Sequence, residues 1–200
     1  MGYRAAGYHV VGVDIEDQPD YLGHEFIKAD AIEWCRENGH LFNFIHASWP
    51  CQASSALTKG TNLGMRYPQL IPRGREAMVS TGKPWVIENV AGAPIRKDLM
   101  LCGEMFGLEV IRHRFFEFSD PALAVKVEHV PHRGRVAGWR HGVYYDGPYK
   151  AVYGDGGGKG SVAEWQQAMG IWWTDERKSI AEAIPPAYTE RIGNDLKGKI

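Results

Sequence analysis

Four residues of this chain have types and positions that could do chemistry together. Cys51 follows Pro50 at the end of the apolar run "FNFIHASWP". A thiol is a strong nucleophile as the thiolate, and a turn stiffened by Pro50 after a strand would present the sulfur above a sheet edge. Glu88 sits near the end of the apolar run "WVIENV". A buried carboxylate is costly unless it is paired or used, and burial raises its pKa so that it can act as an acid near neutral pH. Arg112 and Arg114 are two apart in the β-rich stretch "LEVIRHRFFEF". On one strand they would share a face, where two guanidiniums could grip a phosphate or the carbonyl of a base. Each residue also has a plainer reading: a half-buried thiol, a carboxylate paired with an arginine or a helix N-terminus, an exposed edge strand.

Elements that could position these groups are legible in the pattern of apolar runs. "HVVGVD", "EFIKAD", "FNFIHAS" and "WVIENV" are strand-length and apolar enough to be buried. Helix-like stretches at about 31–38 and 69–82 separate them. Strands alternating with helices predict a parallel α/β sheet, and such sheets bind ligands at the carboxyl ends of their strands. Asp14, Asp30, Cys51 and Glu88 all fall at or near those ends. Residues 119–160 then carry Pro, Gly, His, Arg, Tyr and Trp with little periodicity, as an inserted loop-rich module would. From Ser161 the chain turns helical through "SVAEWQQAMGI", "TDERKSIAEAI" and "PPAYTERIGNDL". Asp175 is placed to cap the second of these helices and Pro185–Pro186 to end it.

Composition sets outer bounds. Two hundred residues suit one domain, or one with a small insert. No apolar run is long enough for a membrane span. Three cysteines without a CxxC pair predict no disulfide framework and a reducing cytoplasm, with Cys35 and Cys102 as core or half-buried thiols. The net charge of −1 hides an asymmetry: residues 1–50 hold three Lys/Arg against eight Asp/Glu, and residues 126–160 hold six against three. A basic segment on a neutral chain permits a polyanion partner, although a solvated loop reads the same way. "GDGGGKGS" fails as a phosphate loop, because Gly160 follows Lys159 where Ser or Thr is needed and Tyr153 stands at the first glycine position. His46 with Cys51 lacks further ligands at zinc spacing, so no metal is expected there or elsewhere. Trp165, Trp172 and Trp173 are expected to pack together.

Cys51, Glu88, the arginine pair and a basic insert, in this order, resemble the DNA cytosine-5 methyltransferases, especially the compact phage-type members. "PCQ" (50–52) is similar to the family's catalytic loop, "ENV" (88–90) to its second catalytic motif and "RHR" (112–114) to its arginine pair. "VAEWQQAMGI" and "AIPPAYTERIG" resemble the closing motifs that return to the cofactor site. The resemblance covers nearly the whole chain. It implies an α/β fold of the S-adenosylmethionine-dependent methyltransferase (Rossmann-like) type, N-terminally truncated. The implied divisions are a catalytic domain over 1–118, a target-recognition insert over 119–160, and C-terminal helices over 161–200 that return to the catalytic domain.

The same resemblance implies a mechanism. Cys51 would add to C6 of a cytosine flipped out of duplex DNA. Glu88 would protonate or hydrogen-bond N3, and Arg114 with Arg112 would hold O2 or a phosphate. S-Adenosylmethionine would supply the methyl group to C5. Asp14 would take the cofactor's ribose hydroxyls, Ile15 would lie against adenine, and Asp30 would accept from the adenine amino group beside Ala31 and Pro50. Residues 52–70 would close over the base, with Gln52 and Ser55 facing DNA. Arg133, Arg135, Arg140 and Lys150 would contact phosphates or base edges. The implied partner is double-stranded DNA with no membrane, the implied state a monomer, and the implied setting the cytoplasm of a bacterium or a phage-infected host.

Three departures from the family pattern carry expectations of their own. The family opens with a strand and a glycine-rich turn, F-x-G-x-G-G, around the methionine part of the cofactor. "MGYRAAGYHVVGVD" resembles the helix and second strand that follow that turn. A start upstream of Met1 is expected rather than decay, because losing a central strand would bare the edges of both its neighbours. Val110 stands where the family often has Gln, and "EAIPP" replaces the usual G-N-x-x-P-P. The alternatives are a catalytically impaired DNA-binding remnant, an RNA cytosine-5 methyltransferase, or a folate-dependent pyrimidine-nucleotide enzyme, whose motif is typically "PCH" where this chain has Gln52.

Overall fold

The structure, a computed structural model, describes residues 1–50, 69–154 and 160–200, without the Arg140 side chain. It is a mixed α/β fold whose contacts divide the chain into two compact units. The first comprises 1–9, 101–113 and 128–194, and the second 10–100, 114–127 and 195–200. Residues 128–160 cluster with most of the C-terminal helices, and 195–200 join the second unit.

The second unit opens with β1 (Val11–Asp14) and β2 (Glu25–Lys28), paired in parallel. α2 (Ala31–Asn38) starts where Asp30 caps it, its Oδ1 accepting from the Ile32 and Glu33 N–H groups at 2.8 and 3.2 Å, and this satisfies two donors that a helix start leaves unpaired. β3 (Ile45–Ser48) pairs in parallel with β4 (Trp85–Asn89). β6 (Arg114–Phe118) then runs antiparallel to β4, with β5 (Leu99–Leu101) beyond it, in the order β3-β4-β6-β5. The sheet is therefore mixed rather than parallel. Between β4 and β6 the chain passes through β5 and a short 3-10 turn, with no α-helix. No helix among the described residues is long and apolar enough to cross a membrane.

β4 has a strand on each side and is buried along its whole length. Trp85 and Ile87 join the core with Ile32, Trp49, Ile71 and Met78, each large apolar side chain contributing about 1.5–3 kcal/mol. α3 (Leu70–Ser80) presents Ile71, Gly74, Ala77 and Met78 to that core, a stripe at helical spacing. Gly74 lies against the Trp49 indole, and a Cβ there would meet the ring at 2.2 Å. Gly74→Ala is accordingly expected to destabilise the protein by about 1–3 kcal/mol through overpacking, despite alanine's better helix propensity. Urea denaturation checks this, and a stabilised variant would contradict it.

In the other unit, α1 (Gly2–Ala5) packs on α6 (Pro186–Leu196), Gly2 lying close to the Pro186 carbonyl. α4 (Val162–Met169) begins with a full capping box between Ser161 and Glu164. α5 (Arg177–Glu182) takes Glu176 at its N-cap position rather than Asp175, and the Thr174 hydroxyl accepts the Glu176 N–H. Trp165 is fully buried here and Trp173 partly so, whereas Trp172 is 65% exposed and does not pack as expected. β7 (Gly138–Arg140) and β8 (Val143–Tyr145) form a hairpin whose two turn residues, His141 and Gly142, both have positive φ, as a type I′ turn requires.

Candidate functional site

β1 and β3 belong to different sheets, and each has a strand on only one side among the described residues. Both line a cavity of about 400 Å³, within the usual size range of ligand sites. Val11 and Val13 come from β1, Ile45 and Ala47 from β3, and the first turn of α2 adds Ala31 and Ile32. These apolar strands are only half-buried, unlike β4. All five positions expected to hold a cofactor line this cavity: Asp14, Ile15, Asp30, Ala31 and Pro50.

The polar groups at its rim are partly committed. Asp14 closes a turn through Oδ1, which accepts the Glu16 N–H at 2.9 Å. Asp30 uses one carboxylate oxygen on the helix start. Ile15 is 64% exposed, an apolar side chain left beside the opening. His46 also faces the cavity, its Nε2 3.2 Å from the Ser48 hydroxyl, and burial pushes its pKa down to about 4. It is neutral at physiological pH.

Glu88 is buried on β4, one strand further into the sheet, and Arg114 on β6 meets it with Nε 2.9 Å from the carboxylate. The burial inferred from the apolar run is present, and the arginine partner is the one that the plainer, structural reading of Glu88 called for. A residue that sequence reasoning passed over completes the arrangement. Buried Asn89 donates from Nδ2 to the Trp49 carbonyl at 2.8 Å, while its Oδ1 accepts the Val90 N–H. This bond holds the end of β3 against β4 immediately before Pro50. An asparagine closing an apolar strand was the available signal. Cys51, Gln52 and Ser55 lie outside the described residues.

Arg112 does not share a strand face with Arg114. β6 starts at Arg114, and Arg112 is buried in the other unit, where its guanidinium donates to the carbonyls of Val152 (3.1 Å) and Ala181. The Tyr188 hydroxyl in turn donates to the Arg112 carbonyl at 2.7 Å. Spacing of two puts residues on one face only within a strand, and residues 111–113 are not strand.

The four basic residues expected at DNA have different surroundings. Arg133 pairs with Glu104 at 2.8 Å and lies over the Tyr149 ring, and its backbone N–H donates to the Tyr149 hydroxyl. Hydrogen bonds from Tyr149 and Arg133 hold the Glu104 carboxyl below its usual range. Lys150 pairs with Glu164 at 2.8 Å. Lys150 and then the Ser161 N–H push the Glu164 pKa down to about 2. Both bases thus serve local structure. Arg135 is exposed, with its guanidinium stacked over Tyr145, and Arg140 lies on β7. Next to them stand two exposed aromatics, Trp139 and Tyr144, directly opposite each other across the hairpin with rings 5.6 Å apart.

One further group went unnoticed in the sequence. Cys102, His113, His129 and His132 come together with their ligand atoms all within 4.8 Å of one another. Burial, followed by the two other imidazoles, holds His113 below its ordinary pKa. Compared with known proteins, the chain matches no family model and no curated protein.

Proposed function

We propose that this chain is a DNA cytosine-5 methyltransferase that binds S-adenosylmethionine in the cavity beside β1 and β3. The observation that carries the reading is the convergence on one cavity of the five residues assigned to the cofactor from motif resemblance alone, with a buried Glu88–Arg114 pair in the same unit. The cofactor fits the residues present. Asp14 and Asp30 offer acceptors at two strand ends, and Ile15 offers an uncovered apolar surface to adenine.

When bound, the cofactor supplies the methyl group. The protein's own groups do the rest. Cys51, two residues past the anchored Trp49 carbonyl, adds its thiolate to C6 of the flipped base across the C5–C6 double bond, and after transfer the C5 proton leaves to solvent and the thiolate is eliminated from C6, restoring the ring. Arg114 neutralises Glu88 while the site is empty of base. A cytosine O2 that draws on the Arg114 donors weakens that pairing, and Glu88 is then placed to hold a proton at N3. Asn89 positions both segments by joining β3 to β4. Arg135, Trp139 and Tyr144 offer a cationic and aromatic surface of the kind that nucleic acids stack on.

The test is transfer of labelled methyl groups to duplex DNA, alongside calorimetric titration with S-adenosylmethionine. Expected are saturable cofactor binding, weakened at least ~10-fold in Asp14→Ala, and transfer that is lost in Cys51→Ser. Salt-sensitive DNA binding without cofactor binding would leave only a DNA-binding remnant. Preference for tRNA over duplex DNA would move the substrate to RNA.

A further inference from the structure

We propose that Cys102, His113, His129 and His132 form a structural zinc site, independent of the methyltransferase reading. The four residues arrive from three separate places within one unit. Cys102 directly follows β5, His113 directly precedes β6, and His129 and His132 lie in the irregular stretch between β6 and β7. Such convergence needs a reason, because each imidazole carries polar nitrogens that must be satisfied when half-buried.

Two of the six ligand-atom distances are close to those of a metal shell, and all six lie within 4.8 Å. A tetrahedral zinc with Zn–N near 2.0–2.1 Å and Zn–S near 2.3 Å sets its ligand atoms about 3.3–3.6 Å apart. Cys102 Sγ lies 3.4 Å from His132 Nε2, and His113 Nε2 lies 3.2 Å from His129 Nε2. The three imidazole rings approach one another with centroids 4.9 to 5.3 Å apart. Three nitrogens and one sulfur are a donor set of zinc character, and four protein ligands leave no open position, which marks a structural rather than a catalytic centre.

The surroundings explain what the metal would do. Residues 124–137 contain no helix and only the first residue of an isolated bridge, Val136 with Tyr149, and Val130 among them is 44% exposed. This stretch has little apolar burial with which to offset the entropy of ordering it. A metal bound by two of its histidines would tie it to Cys102 and His113, as metal binding supplies folding free energy in small irregular modules. Outside the cluster, His132 meets the buried Tyr149 ring edge to face, and the Tyr149 hydroxyl donates to Glu104 at 2.6 Å. The ring that carries a ligand nitrogen is therefore itself held in place.

The experiment is metal analysis of the full chain purified without a histidine tag from zinc-supplemented medium, followed by replacement of zinc with Co(II). Expected is about one zinc per chain. The cobalt protein should show the intense visible bands of tetrahedral Co(II) with a near-ultraviolet thiolate-to-cobalt band. Cys102→Ser should lose the thiolate band, and His129→Ala should weaken zinc binding at least ~10-fold. Cys35→Ser, a buried thiol in the other unit, should keep both signals. If Cys102→Ser does not fold, alkylation decides on the wild type: zinc should slow modification of the Cys102 thiol at least ~10-fold, and chelator should reverse this. Less than about one tenth of an equivalent of zinc with no tetrahedral cobalt spectrum would overturn the site. So would a thiolate band that survives Cys102→Ser, or Cys102 alkylation that zinc does not slow.

Discussion

Glu88→Gln is expected to lower methyl transfer to DNA by about 10²–10⁴, the range over which a positioned proton donor contributes, while cofactor binding stays within ~3-fold. Glutamine keeps the shape of the side chain and an oxygen acceptor for Arg114, which approaches Glu88 at 2.9 Å, so the sheet should survive. It cannot deliver a proton to N3. Glu88→Ala serves as the contrasting variant. It leaves Arg114, whose side chain is 15% exposed, without its carboxylate, and removing one partner of a buried pair costs about 3–5 kcal/mol. Single-turnover transfer with labelled cofactor, alongside thermal unfolding of each variant, separates the two effects. Transfer by folded Glu88→Gln within ~3-fold of wild type would remove Glu88 from the chemistry.

Arg75→Ala is expected to cost about 3–5 kcal/mol of stability, with no direct effect on the cavity residues. Arg75 on α3 grips Glu117 on β6 with two hydrogen bonds, at 2.9 and 2.7 Å, and Glu117 also accepts the Arg96 N–H at 3.0 Å. The Glu117 side chain is only 4% exposed. Truncating Arg75 leaves that buried carboxylate with the Arg96 N–H and a more distant Arg96 guanidinium at 3.9 Å, and an under-compensated buried charge is worse than no charge at all. For a chain of this size the loss should lower the unfolding midpoint by roughly 6–20 °C. Calorimetry measures it. A double variant, Arg75→Met with Glu117→Leu, should recover much of the loss, since the charge and its partner leave together. An Arg75→Ala midpoint unchanged within about 2 °C would show that Arg96 suffices for Glu117.

Glu117 and Glu88 alternate with respect to what sequence can say. Both are acids in or beside strongly apolar strands, and both are buried against an arginine. Sequence singled out Glu88 because its run closes at a strand end, where α/β sheets place their ligands. Nothing local separates the acid proposed for chemistry from a structural one. Their neighbours differ: Glu117 meets a helix arginine and a loop amide, while Glu88 lies next to Asn89, which anchors the segment leading to Cys51.

Periodicity and capping by themselves determined the local elements. The runs that end at Asp14 and Asp30 and those around Ser48 and Glu88 are strands or lead directly out of strands, and residues 31–38 are a helix capped by Asp30. These features depend on nearest neighbours along the chain, so they can be read there. Asp14, Ile15, Asp30, Ala31 and Pro50, far apart in the chain, also line one cavity. Tertiary structure alone decided the direction of β6, since apolar runs look alike whichever way they pair. It separated Arg112 from Arg114, because a two-residue spacing has meaning only once the strand's first residue is known. It also assembled Cys102 and His113 with the H-x-x-H pair at 129 and 132. That pair is visible in the sequence, but the other two ligands come from distant places in the chain, and only the folded backbone brings them within reach of one metal ion.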